Sequence, residues 1–159
     1  MLCQPFTGRL SDYYGRAGFI FIGGVLFGIL SITIPFAPVL GQSIGLVSIP
    51  RIGPVSVTLI LVITLNGLLG IADSFREPAS MALFADEGTS QGGVASSFGI
   101  RNLVWQPGSI IAPMIGGVVM TSISIDAVFY IAGFFAFSGS FVFLGVLSFS
   151  HGRKALKQW

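Results

Sequence analysis

Apolar side chains run along this chain in four long blocks separated by short polar breaks: residues 17–40, 55–84, 94–121 and 127–149. A helix that crosses a bilayer needs about 20 mostly apolar residues. Each block meets that length, so the pattern predicts four complete spans. Turn chemistry marks the breaks: Gly41-Gln42-Ser43 with Pro50 and Pro54, then residues 86–93, then residues 121–126. Ahead of the first block, residues 1–7 are mildly apolar but too short to cross, and read as the end of another helix. Residues 8–16 read as a polar loop, and residues 150–159 as a basic tail carrying His151, expected to be solvated.

Within the blocks, positions spaced i, i+4, i+7, i+11 share one helix side. On the first block that side holds Gly24, Gly28, Ser31 and Pro35. Small residues there let a neighbouring helix come close, which is how helices associate in lipid. The fourth block carries Ala132, Ala136 and Gly139 in the same way, with its phenylalanines largely elsewhere. The third carries Asn102, Gln106, Ser109, Pro113 and Gly116, and its two amides point to a hydrated cavity or to interhelical hydrogen bonds.

The second block holds the unusual stripe: Asn66, Gly70, Asp73, Glu77 and Ser80, with Arg76 beside it. Three charges facing lipid at mid-membrane would cost roughly 8–10 kcal/mol on insertion scales. They must face protein or water. Arg76 can pair with Asp73 at i+3 or stay beside Glu77, which leaves one negative charge to neutralise. A carboxyl there that takes up and releases a proton would couple transport to protons. An ion-pair knot that only fixes helix register is the other reading. Pro78 removes one helical hydrogen bond next to these charges. Arg101, near the start of the third block, is expected to snorkel to the interface or to pair with Asp86 or Glu87, a cavity role toward an anion being the alternative.

Composition narrows the class. Of 159 residues, 53% are hydrophobic and only 9% charged, with mean hydropathy +0.89, whereas a soluble domain carries roughly 25% charged residues. A water-exposed globule is excluded. The eight basic residues are scattered along the chain, so no nucleic-acid partner is expected. Cys3 is the single cysteine and allows no internal disulfide. No paired-histidine metal spacing or nucleophile-elbow pattern is present, so neither an enzyme, a metal nor a cofactor is expected. Placing residues 8–16 in the cytoplasm puts Arg9, Arg16, Arg153, Lys154 and Lys157 inside and leaves Arg51 outside with Asp126. This orientation satisfies the positive-inside rule and makes the C-terminus cytoplasmic.

The run Gly8-Arg9-Leu10-Ser11-Asp12-Tyr13-Tyr14-Gly15-Arg16 resembles the signature loop of the major facilitator superfamily, G-x-L-a-D-r-x-G-r-k. Gly8, Leu10, Asp12, Gly15 and Arg16 match, while Tyr13 and Ala17 replace basic residues of the pattern. Glycines suit a tight turn and close helix approach, and Asp12 is expected near a helix N-terminus. A second run, Gly108 to Gly117 with Pro113 and Gly116, is similar to the G-x-x-x-G-P-x-x-G-G motif of antiporter-type members, Ala112 replacing one glycine.

The resemblance implies an all-α, polytopic helical bundle that is part of a twelve-helix fold in two six-helix halves. It places this chain at helices nine to twelve, the C-terminal part, as a fragment or truncated form. The implied function is transport of a small solute across the cell membrane by alternating access, as proton-coupled secondary active transport. The 8–16 loop would then be a conformational latch on the cytoplasmic side. Asp73 and Glu77 would be coupling groups with Arg76 as their partner, and Asn66, Asn102 and Gln106 cavity groups. Gly108, Pro113, Gly116 and Gly117 would form a helix-packing motif. Expected partners are the lipid bilayer, the solute and the remaining transporter helices or another membrane subunit. A standalone four-helix accessory protein without solute flux is the alternative.

Overall fold

A computed structural model of the chain describes residues 4–50, 53–90 and 93–151. Cys3, Arg51, Arg153, Lys154 and Lys157 lie outside the described residues, as does the His151 side chain. Helix α1 (Gln4–Tyr14) leads into α2 (Arg16–Thr33), which continues through a 3-10 turn at Ile34–Phe36 into α3 (Ala37–Ile44). Strands β1 (Leu46–Ile49) and β2 (Gly53–Ser56) follow, then the long helices α4 (Val57–Ser90), α5 (Val94–Ser122) and α6 (Ile125–His151). Four helical stretches are long and apolar enough to cross a membrane: Arg16–Ile44, Val57–Ser90, Val94–Ser122 and Ile125–Phe149.

The expected breaks are shorter than the sequence suggested. Residues 8–14 are helical, and only Gly15, at φ 100°, separates α1 from α2. Gly41, Gln42 and Ser43 lie inside α3, and residues 86–90 inside α4. Side chains explain this last extension: the Thr89 hydroxyl donates to the Ala85 carbonyl and Ser90 to that of Glu87. Both satisfy their polarity on the helix itself. Between α3 and α4 the chain forms an antiparallel hairpin that the hydropathy pattern did not announce, pairing Leu46 with Ser56 and Ile49 with Gly53. Gly45 precedes β1 and Gly53 opens β2, at φ 87° and 95°, a region that favours glycine. At the α5–α6 turn, Ser124 caps α6 by accepting the Ala127 amide, and Asp126 in the first turn suits the positive end of the helix.

Helix α2 lies between α4 and α6, and its small residues decide both contacts. Gly24, Gly28, Ser31 and Pro35 are all buried, so the expected stripe is the seam. A Cβ at Gly28 would stand 2.9 Å from the Gly133 carbonyl oxygen and 2.9 Å from the Phe137 amide nitrogen of α6. Gly23, one position round, meets the Ala72 carbonyl and the Arg76 backbone of α4. On α6 the seam runs through Gly133, Phe137 and Ser140. Of the expected row, Ala136 borders the seam, its carbonyl oxygen 4.0 Å from where a Gly24 Cβ would be, whereas Ala132 and Gly139 are exposed, which corrects those two positions. Ala132 turns instead toward α5, lining an apolar cleft with Gly116, Val119 and Val128.

Helix α5 is attached differently. None of its residues is buried. Its approach to α6 is loose, Val128 Cγ1 lying 3.8 Å from where a Gly116 Cβ would be.

Candidate functional site

Two sets of charges are built by this arrangement. The first sits at the α1–α2 junction. Asp12 is in the last turn of α1 and Arg16 opens α2, so Gly15 folds them onto one another. Arg16 donates to Asp12 Oδ1 from Nε at 3.1 Å and from Nη2 at 3.0 Å. Its Nη1 reaches α4, donating to the Ala82 carbonyl at 3.1 Å and to the Asp86 carboxylate. Nearby, the buried Thr7 hydroxyl donates to the Ser74 carbonyl at 2.6 Å. At Gly8, α1 lies against Pro78, and an added Cβ would stand at an ordinary van der Waals spacing of 3.6 Å. Leu10 is exposed. Of the signature residues, Asp12, Gly15 and Arg16 thus form one unit that ties α1 and α2 to the end of α4.

The second set lies within the membrane-crossing part of α4. Arg76 Nη2 donates to Asp73 Oδ1 at 2.8 Å along the same helix. Glu77 is met from α5: Arg101 Nη2 donates to its Oε1 at 2.7 Å. Arg101 therefore neither pairs with Asp86 nor Glu87, as expected from sequence, nor leaves Glu77 as a surplus negative charge. Four charges make two pairs and sum to zero. The reason is depth. Because α4 stays helical to Ser90, Glu77 and Arg101 reach similar levels on antiparallel neighbours.

The two pairs differ in exposure. Arg101 and Glu77 are 14% and 27% exposed, against 32% and 40% for Arg76 and Asp73. Two aromatic rings support the guanidiniums, Phe27 lying 5.4 Å from Arg76 and Trp105 lying 5.5 Å from Arg101. These ring partners, and the α4–α5 pair itself, escaped the sequence reading. Opposite charge at matching depth across a helical hairpin was the available signal.

The remaining expected positions are spread out. Asn66 is exposed and its amide donates to the Val62 carbonyl of its own helix at 2.8 Å. Asn102 and Gln106 are exposed on α5. Of the expected packing motif only Gly116 approaches another helix. Gly108 and Gly117 have open space where a Cβ would be, and Pro113 is exposed. Among the described residues no group of three or more histidine, cysteine or carboxylate side chains could hold a metal ion.

A family model, that of the Major Facilitator Superfamily, matches residues 1–157. Comparisons with curated proteins and with solved structures gave no match.

Proposed function

Since the chain belongs to the Major Facilitator Superfamily, a family of membrane solute transporters, we propose that it serves alternating-access transport of a small solute driven by protons, with Asp73 as the coupling carboxylate. The carrying observation is the contrast between the two acids of α4. Glu77 is tied to another helix through Arg101, whereas Asp73 is 40% exposed and paired only with Arg76 one turn away. An ionisable group within a membrane-crossing helix is expensive and by default functional. An accessible one with a local partner can exchange its proton without pulling two helices apart.

In this reading the Arg16 unit is the latch. It joins α1, α2 and α4 on the side assigned to the cytoplasm, and its opening would free these helix ends to separate. The exposed amides Asn66, Asn102 and Gln106 contribute to the solute path. Further transporter helices, or another membrane subunit, cover the face of α5 that this chain leaves bare. The setting is the cell membrane with the C-terminus cytoplasmic.

The test is solute-dependent proton uptake into reconstituted vesicles loaded with a pH-sensitive dye, screened with a panel of organic anions, organic cations and sugars. Asp73→Asn should abolish the coupled proton signal, while Glu77→Gln should retain it. If Asp73→Asn keeps full pH-driven uptake, the coupling assignment is wrong. If no solute moves in the wild type, the chain is an accessory component.

A further inference from the structure

We propose that the cleft between α2, α4 and α5 binds a small organic monoanion with an apolar body, an aromatic carboxylate or sulfonate. The proposal names the substrate class for the transport reading above, but its test does not require flux. The open cleft has a volume of about 330 Å³ and is lined by Arg76, Glu77 and Arg101 together with Phe84, Val104 and Trp105. That volume is at the small end for ligand pockets, which run from about 300 to 1,000 Å³, and suits a single-ring molecule.

Three observations select an anion. First, the charged lining is two guanidiniums and one carboxylate, so hydrogen-bond donors of positive groups outnumber acceptors on the wall, with Asp73, the partner of Arg76, outside the lining. Second, the guanidiniums are under-used. Each has five N–H donors, and among the described residues each makes a single hydrogen bond: Arg76 to Asp73, Arg101 to Glu77. Arg76 Nε is buried with no hydrogen-bond partner. In an apolar setting such donors are costly to leave unmet, and acceptor oxygens of a carboxylate or sulfonate match their fork. Third, apart from Ser80 the rest of the wall is aromatic or aliphatic, with Trp105 already against Arg101. An anionic head on the arginines would therefore place its body against Phe84, Val104 and Trp105. Glu77 is the internal competitor for the same donors.

Benzenesulfonate, which stays ionised at all working pH values, tests this directly. Trp105 and Trp159 are the two tryptophans, so in the full chain carrying Trp159→Phe the emission of Trp105 reports the cleft. Titrations run in detergent at constant ionic strength, with benzyltrimethylammonium and benzyl alcohol as matched cation and neutral probes. Saturable change is expected with benzenesulfonate only. Glu77→Gln frees Arg101 and should tighten binding several-fold, whereas Arg101→Gln should weaken it about tenfold or more. Because Arg101→Gln leaves Glu77 unpaired, Glu77→Gln with Arg101→Gln serves as the neutral control, and the same loss is expected. Val104→Phe should also weaken binding by filling part of the cleft, and it leaves Trp105 as the reporter. Equal response to all three probes, or no effect of the double variant, would overturn the proposal. So would competition by phosphatidylglycerol vesicles with no response to benzenesulfonate alone, which would assign the site to a lipid headgroup. Failure of any kind here leaves the proton-coupling test untouched.

Discussion

The α2–α6 crossing can be tested by one methyl group. At Gly28, an alanine Cβ would sit 2.9 Å from Gly133 O, 2.9 Å from Phe137 N and 3.0 Å from Phe137 Cβ. All three are backbone or backbone-proximal atoms of a membrane-crossing helix, so none can swing aside. The helices must separate by about 0.5 Å, and a gap of about 0.5–1 Å forfeits a quarter to a half of the local dispersion energy. Overpacking of this kind costs about 1–3 kcal/mol. Gly139→Ala is the control, because that position has open space and alanine is the better helix former. Thermal unfolding of the detergent-solubilised protein, followed by loss of the monodisperse chromatographic peak, should show Gly28→Ala destabilised and Gly139→Ala unchanged or slightly stabilised. Gly133→Ala should behave like Gly28→Ala, since its added Cβ would stand 2.7 Å from Gly28 O. The double variant should cost less than the two singles added, because one separation relieves both clashes. Equal stability of Gly28→Ala and Gly139→Ala would show that the helices do not meet at Gly28.

The same melting assay checks the charge pairs. Glu77→Gln and Arg101→Gln should each destabilise by about 1–3 kcal/mol, because each leaves a poorly solvated partner unpaired, and the double variant should cost less than the worse single. Gly15→Ala should cost about 1–2 kcal/mol, since φ 100° is a conformation that residues with a Cβ rarely adopt. Asp86→Asn, by contrast, should lower stability by less than about 1 kcal/mol, as Arg16 keeps Asp12 and Asp86 is half exposed. Its effect should shrink further as salt is raised, which repeating the melt across an ionic-strength series measures.

What could be read from the residues was what repeats along a helix. Gly24, Gly28, Ser31 and Pro35 recur at helical spacing, and lipid gives a row of small residues few other uses, so the seam on α2 followed directly. The seam on α6 lies one position further along, at Gly133, Phe137 and Ser140. Ser140 donates to the Ala136 carbonyl of its own helix at 2.8 Å. With its polarity met there, it packs against Gly24 as alanine would. Local hydrogen bonding also hid the true helix ends, since Thr89 and Ser90 look like turn residues until their hydroxyls are seen bonded backward. The Asp73–Arg76 pair was legible because i+3 neighbours meet on any helix. The Glu77–Arg101 pair was not, because it depends on how far α4 overhangs α5, a tertiary quantity that hydropathy does not encode.

That pair also explains how α5 is held. Helices in lipid gain nothing from hiding apolar surface from one another, so close packing or polar contacts must supply the attraction. Helix α2 has the first, through its glycines. Helix α5 has it only at its start, where a Cβ at Gly88 of α4 would stand 2.6 Å from Val94 Cα; none of its own residues is buried, and Gly108 and Gly117 touch nothing within reach of a Cβ. Further along, Arg101 meeting Glu77 adds a charged interhelical hydrogen bond. Glycine seams thus join α2 closely to α4 and α6, whereas α5 meets α4 closely at Gly88 and again through the Arg101–Glu77 pair, and the arginine-lined cleft lies between α2, α4 and α5.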